Sequence, residues 1–191
     1  MSSRPANSIS SEATVALVVR AQRGDADAFA SLAAAFLRAA YSVALAIVGR
    51  PADAEDVAQD AFVLALERIR TCRQPERFAG WLLQIVRHQA LSWLQKRRLR
   101  DVSADEGGAT VAIAPVATEH AGLAERLVAA LGGLTTGQRE VVLLHDLEDW
   151  THAEIATALG ISEVMSRQHL FNARRLLRAH LAGDAVTETG S

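Results

Sequence analysis

Between Glu163 and Ala182 four arginines, Arg167, Arg174, Arg175 and Arg178, stand against one acid, Glu163. Gln168 and Asn172 lie among them. Guanidinium groups neutralise phosphate, and side-chain amides can pair with base edges, so this set is suited to recognising nucleic acid without covalent chemistry. At about 100° per residue, Leu170, Ala173 and Leu177 share one helix face. Val164, Gln168, Phe171, Asn172 and Arg175 lie roughly opposite. The plainer alternative is a solvated basic face.

Two further sets stand earlier in the chain. From Phe78 to Arg100 there is no acid, and Arg87, Lys96, Arg97, Arg98 and Arg100 are interleaved with Phe78, Trp81 and Trp93. Basic residues among aromatics suit bases that are exposed for stacking, although Trp81, Leu82, Ile85 and Leu94 could equally be core. The preceding stretch carries Asp53, Glu55, Asp56, Asp60 and Glu67 against Arg68 and Arg70. For an isolated helix, solvation alone explains such a face. His145, Asp146, His152 and Glu154 could in principle gather a metal, but their spacing matches no metal-binding pattern. A capping glutamate and surface histidines explain them better, so no catalytic group, metal or cofactor is expected.

The elements that must position these residues read as helices throughout. Thr151, with Glu154 three residues on, forms a capping box, and Ile155, Ala156 and Leu159 line one face of the helix that follows. Gly160 supplies a left-handed stop, and Ser162 caps the next helix. Two helices joined by a short glycine turn form a helix-turn-helix, whose second helix enters the major groove. Upstream, helices are expected over Glu12–Gln22, Ala26–Val48, Ala52–Arg70 and Phe78–Arg100. Periodicity fails from Asp101 to His120, where Gly107, Gly108 and Pro115 suggest a flexible linker. Helices resume at Ala121 and break at Gly132 and Gly133. Thr135 or Thr136 then caps a helix carrying Val141 to Leu144.

The expected fold is therefore all-α, with two small helical domains at 12–100 and 121–182. A loose tail occupies 1–11, a flexible linker 101–120, and a frayed tail 183–191. Half of the 191 residues are apolar and the net charge is −2. Cys72 is the only cysteine, which excludes a disulfide framework and fits a reduced, cytoplasmic setting. Met1 to Ser11 shows no signal-peptide pattern. Ala28 to Gly49 is long enough to span a bilayer, but its one charge, Arg38, would cost roughly 2.5–3.5 kcal/mol at the helix centre. A helix buried in a soluble bundle is the better reading, with no membrane insertion.

Taken in order, an acidic helix, an aromatic-basic helix, a linker and a helix-turn-helix resemble the extracytoplasmic-function class of bacterial RNA polymerase sigma factors. Asp53-Ala-Glu-Asp-Val-Ala-Gln-Asp-Ala-Phe62 resembles the family's polymerase-binding segment. Phe78-Ala-Gly-Trp-Leu-Leu-Gln-Ile-Val-Arg87 resembles the helix that recognises and opens the −10 element. Leu134 to Glu140, Ala153-Glu-Ile-Ala, Leu159-Gly-Ile-Ser and Ala173-Arg-Arg resemble region 4, which binds −35.

The resemblance implies that Asp53, Glu55, Asp56, Gln59 and Asp60 meet core polymerase. It assigns Trp81, Arg87, His88, Lys96, Arg97 and Arg98 to −10 DNA. Ser162, Arg167, Gln168, Asn172, Arg175 and Arg178 fall to −35 DNA. Core polymerase, promoter DNA and an anti-sigma factor are the implied partners. The chain departs from the family pattern at His88, Ser92, Val164, Met165, Ser166 and His169. Ser166 takes the place of a usually buried valine and is expected to bond back to a helical carbonyl. The rival functions are a helix-turn-helix regulator that works without polymerase, and a helical scaffold that binds only proteins.

Overall fold

The computed structural model describes residues 10–104 and 129–183, with side chains described at 10–99 and 129–180. The N-terminal half is a bundle of α1 (Ser11–Gln22), α2 (Ala26–Val48), α3 (Pro51–Arg68) and α4 (Phe78–Ala104). Local chemistry sets each boundary. Ser10 and Asp25 accept from the backbone N–H groups of Ala13 and Ala28 to start α1 and α2. Pro51 begins α3, where its missing N–H would be unpaired in any case.

α2 is the one described helix long and apolar enough to cross a membrane. Here it is the central element of the bundle, with Leu32, Ala40, Val43, Ala44 and Val48 fully buried against its neighbours. The spacing of Phe78, Leu82, Val86 and Ala90 lays one stripe of α4 into the same core, and all four are completely buried. Gln22 donates from Nε2 to the carbonyls of Ile69 and Cys72, at 3.2 and 2.8 Å. That pair of bonds pins the loop between α3 and α4 to α1.

The C-terminal half opens with a helical turn ending at Gly132, followed by α5 (Thr136–Val142), which widens into a π-helical turn over Leu143–Leu147. Thr135, not Thr136, is the cap, and Gln138 completes a capping box. α6 (His152–Leu159) and α7 (Glu163–Gly183) follow. α4 runs four residues past the expected start of the linker, because nothing from Asp101 to Ala104 is a glycine or proline. The rest of the proposed linker, and the first residues of the helix expected from Ala121, lie outside the described residues.

One relationship had no counterpart in the sequence reading: the two halves share a core. Val43, Ile47, Leu83 and Val86 from the first half form one buried cluster with Val141, Leu144, Ile155 and Leu159 from the second. Gly80 of α4 makes the approach close. A Cβ placed there would lie 3.2 Å from the Thr157 carbonyl oxygen and 3.4 Å from the Ala158 Cα.

Candidate nucleic-acid interface

The helix-turn-helix is built as its residues require. The Thr151 hydroxyl accepts from the Glu154 N–H while the Glu154 carboxylate accepts from the Thr151 N–H. Gly160 ends α6 at φ +69°, in the left-handed region that costs an L residue with a side chain strain. Its N–H and that of Ile161 both donate to the Ala156 carbonyl. Ser162 Oγ accepts from the Met165 N–H at 3.1 Å and so caps α7.

The helix angle is set by buried contacts. Leu170 and Ala173 pack inward at 5% and 0% exposure. Ser166 is fully buried and bonds not to a helical carbonyl but across to α6, with Oγ 2.9 Å from His152 Nδ1. The imidazole one helix away is a partner that sequence spacing cannot reveal. Burial, helped by the nearby charges of His145 and Arg167, lowers the His152 pKa and favours the neutral ring.

The opposite face of α7 is open. Arg167, Gln168, Arg175 and Arg178 are exposed and Asn172 is half-buried. Arg167 pairs with Glu163 at 2.7 Å, one turn back along the helix. Arg174 turns away from this face and donates from Nε to Asp146 at 3.0 Å.

On α4 the expected residues divide. His88, Lys96 and Arg98 are exposed. Arg97 folds back, 3.5 Å from Asp53 and 5.4 Å from the centre of the Trp93 ring. Trp81 is half-buried against Phe78, with ring centroids 5.7 Å apart. Trp81, Gln84 and Arg87 line a cleft of about 500 Å³. The loop from Thr71 to Gln74 forms one wall and Thr157 to Gly160 of the other half the facing wall.

Arg87 reaches across the cleft to the second half. Its Nε lies 3.0 Å from Glu140 Oε1, and a terminal nitrogen donates to the Leu159 carbonyl at 3.3 Å. A second polar joint lies at the far end of the contact, where Glu148 meets Arg38 at 3.0 Å and accepts from the Ser42 hydroxyl at 3.1 Å. Glu140 and Glu148 were not anticipated. For Glu140 a signal existed: it is an acid one turn before Leu144, on the apolar side of its helix, and a buried acid needs a charged partner.

On α3, Glu55, Asp56, Gln59 and Asp60 are exposed along one side. Asp53 is set apart by its contacts with Arg97 and with Arg50 at 3.6 Å. The residues weighed as a metal site are differently engaged. The His145 and His152 rings lie 4.7 Å apart at a 35° tilt, Asp146 holds His145 and Arg174, and Glu154 caps α6.

A model of sigma-70 region 2 matches residues 32–100, and a model of sigma-70 region 4 matches residues 124–177. The extracytoplasmic-function RNA polymerase sigma factor SigL of Mycobacterium tuberculosis is 32% identical over 170 residues, covering 83% of this chain and 96% of that one. The chain belongs to the extracytoplasmic-function class of the sigma-70 family. RfaY of Xanthomonas campestris, named as a probable RNA polymerase sigma factor, is 33% identical over 168 residues; the match takes in 84% of this sigma factor but 42% of that longer relative. Among solved structures, CnrH in complex with the cytosolic domain of CnrY superposes with a TM-score of 0.67 at 27% identity, covering 90% of this chain and 99% of CnrH. The region 2 match thus falls on the bundle from Leu32 of α2 through α4, and the region 4 match takes in α5, α6 and most of α7.

Proposed function

We propose that this sigma factor is the promoter-recognition subunit of RNA polymerase. It docks on core polymerase through Glu55, Asp56, Gln59 and Asp60, with Asp53 at the edge of the surface. It contacts −10 DNA through α4 and −35 DNA through α7. The observation that carries the reading is the open basic-and-amide face of α7, on a chain whose other half is a region 2 bundle with its own exposed acidic helix. Its action is non-catalytic and cytoplasmic. Phosphate contacts from Arg175 and Arg178 supply affinity, and Gln168 and Asn172 supply base contacts. Lys96, Arg98 and His88 serve the −10 strand, with Trp81 offering a stacking surface at the cleft. An inhibitory protein is the expected regulator.

Run-off transcription with core polymerase, with and without this protein, tests the proposal. Promoter-dependent transcripts only when it is present are the expected result. Specific binding to duplex DNA with no dependence on polymerase would instead identify an independent regulator.

A further inference from the structure

The recognition helix carries something that phosphate binding does not use. Val164 and Phe171 are 70% and 69% exposed, and Met165 beside them is 46% exposed. Seven residues apart, Val164 and Phe171 fall at nearly the same azimuth, with Gln168 between them and Arg175 one turn beyond. The other side of the helix is filled by Ser166, Leu170 and Ala173, all buried, so neither side chain can turn inward. A single exposed apolar residue is ordinary. Two large ones bracketing a glutamine, on the stripe that a helix-turn-helix turns toward the duplex, stand where side chains meet base edges.

The occupant follows from the chemistry. In the major groove the one apolar feature presented by any base is the thymine C5-methyl group. The neighbouring exposed arginines, Arg175 and Arg178, favour a polyanion over a neutral protein surface. Resting on the −35 reading above, we infer that this sigma factor reads its −35 duplex in part through thymine methyl groups, with Val164 and Phe171 as the side chains that contact them. Seven residues of helix span about 10.5 Å. A recognition helix lies in the groove at an angle to the duplex, and side chains about two turns apart on a zinc-finger helix reach bases two steps apart. The two thymines therefore lie about two to three base pairs apart, and Gln168 between them is placed to pair with adenine N6 and N7.

The test uses holoenzyme reconstituted from core polymerase and the full chain. A promoter library is selected for binding, and each thymine of the enriched −35 segment is then replaced by deoxyuridine. That exchange deletes the methyl group and leaves every hydrogen-bonding group in place. At two thymines about two to three base pairs apart, deoxyuridine should weaken binding about fourfold, the equivalent of about 0.8 kcal/mol for one buried methyl-sized group. Val164→Ser should erase that penalty at one thymine and Phe171→Ser at the other, while Phe171→Leu retains part of it. Both sites are exposed, so circular dichroism should not change.

If deoxyuridine is neutral throughout a segment that is nevertheless enriched, the inference is overturned and the −35 reading stands. If no segment is enriched and Arg175→Ala binds like wild type, the −35 reading itself fails. If Phe171→Ser weakens assembly with polymerase while the deoxyuridine penalty persists, the stripe belongs to a protein partner and the inference is overturned.

Discussion

Arg87 of α4 and Glu140 of α5 meet at 3.0 Å across the boundary between the two halves, and the glutamate side chain is only 2% exposed. Arg87 keeps 40% of its own surface. The contact is therefore a buried carboxylate answered by a partly hydrated guanidinium. Burial raises the Glu140 pKa, and the positive charges of Arg87 and Arg139 offset part of that rise. An arginine expected to face DNA is here holding the halves together.

Removing Arg87 should therefore loosen the contact between the halves more than it disturbs either half. Arg87→Ala leaves a buried carboxyl without its ion-pair partner, at a desolvation cost of about 1–3 kcal/mol. Combined with Glu140→Gln, most of that loss should be recovered, because the charge needing an answer is gone. Thermal melts of the two single variants and the double variant measure the coupling. Additive losses would mean that the pair does not interact.

The same carboxyl predicts a pH dependence. A group whose folded pKa is raised contributes stability that is fully present below its unfolded pKa, here near 4.5, and lost as pH rises through the folded value. Glu140→Gln should flatten that part of the stability profile, read by urea denaturation at a series of pH values. Asp146 gives the opposite sign. Desolvation alone would raise its pKa, but hydrogen bonds from Arg174 and His145 outweigh it and lower the value below 3.8. Its contribution is present above about 3.8 and lost as pH falls through the folded pKa. Asp146→Asn should remove only about 0.2–1 kcal/mol, since the pair is substantially hydrated.

Gly80 offers a steric handle on the interdomain contact. Gly80→Leu would drive a side chain into the Thr157 carbonyl and the Ala158 backbone, neither of which can rotate away. The expected outcome is a larger radius of gyration in solution scattering with unchanged helicity. A variant that stays as compact as wild type would show that the contact yields to a bulky side chain.

The α3 surface can be tested without touching the core. Asp56→Lys with Asp60→Lys should weaken assembly with core polymerase while shifting stability by less than about 0.5 kcal/mol per exposed site. Normal assembly of the double variant would leave that face merely solvated.

Within the helix-turn-helix, Leu170→Ala should cost about 2–5 kcal/mol and unfold the C-terminal half before it alters specificity. Ser166→Ala should cost about 1 kcal/mol, the worth of one buried hydrogen bond. It should also move the His152 ring resonances in NMR spectra. Unmoved resonances would mean that the serine–histidine bond is not formed in solution.

Local rules made most of the fold readable. The periodicity of α1 to α4 and the residues that cap them placed every helix end but the last of α4 within a residue or two, because caps and breakers act on their immediate neighbours. Thr151, Glu154, Gly160 and Ser162 announced the helix-turn-helix for the same reason. What stayed hidden was where long polar side chains point. Arg87 and Arg97 look alike in sequence whether they meet a phosphate or a carboxylate, and Glu140 is 53 residues from its partner. Ser166 finds its partner not on its own helix but on the preceding one. The far end of α4 was hidden because the apolar periodicity fades after Arg100, while Asp101 to Ala104 contain no glycine or proline to stop the helix.

The shared core also sets a thermodynamic condition on assembly. Any partner that needs Gly80, Arg87 and the cleft wall clear of α6 binds a form that this packing leaves in the minority. If the separated form were one molecule in a hundred, such a partner would bind about a hundredfold more weakly than its intrinsic affinity. Mutations at the Glu140 and Glu148 joints would then tighten binding from a distance, without adding a single contact to the partner.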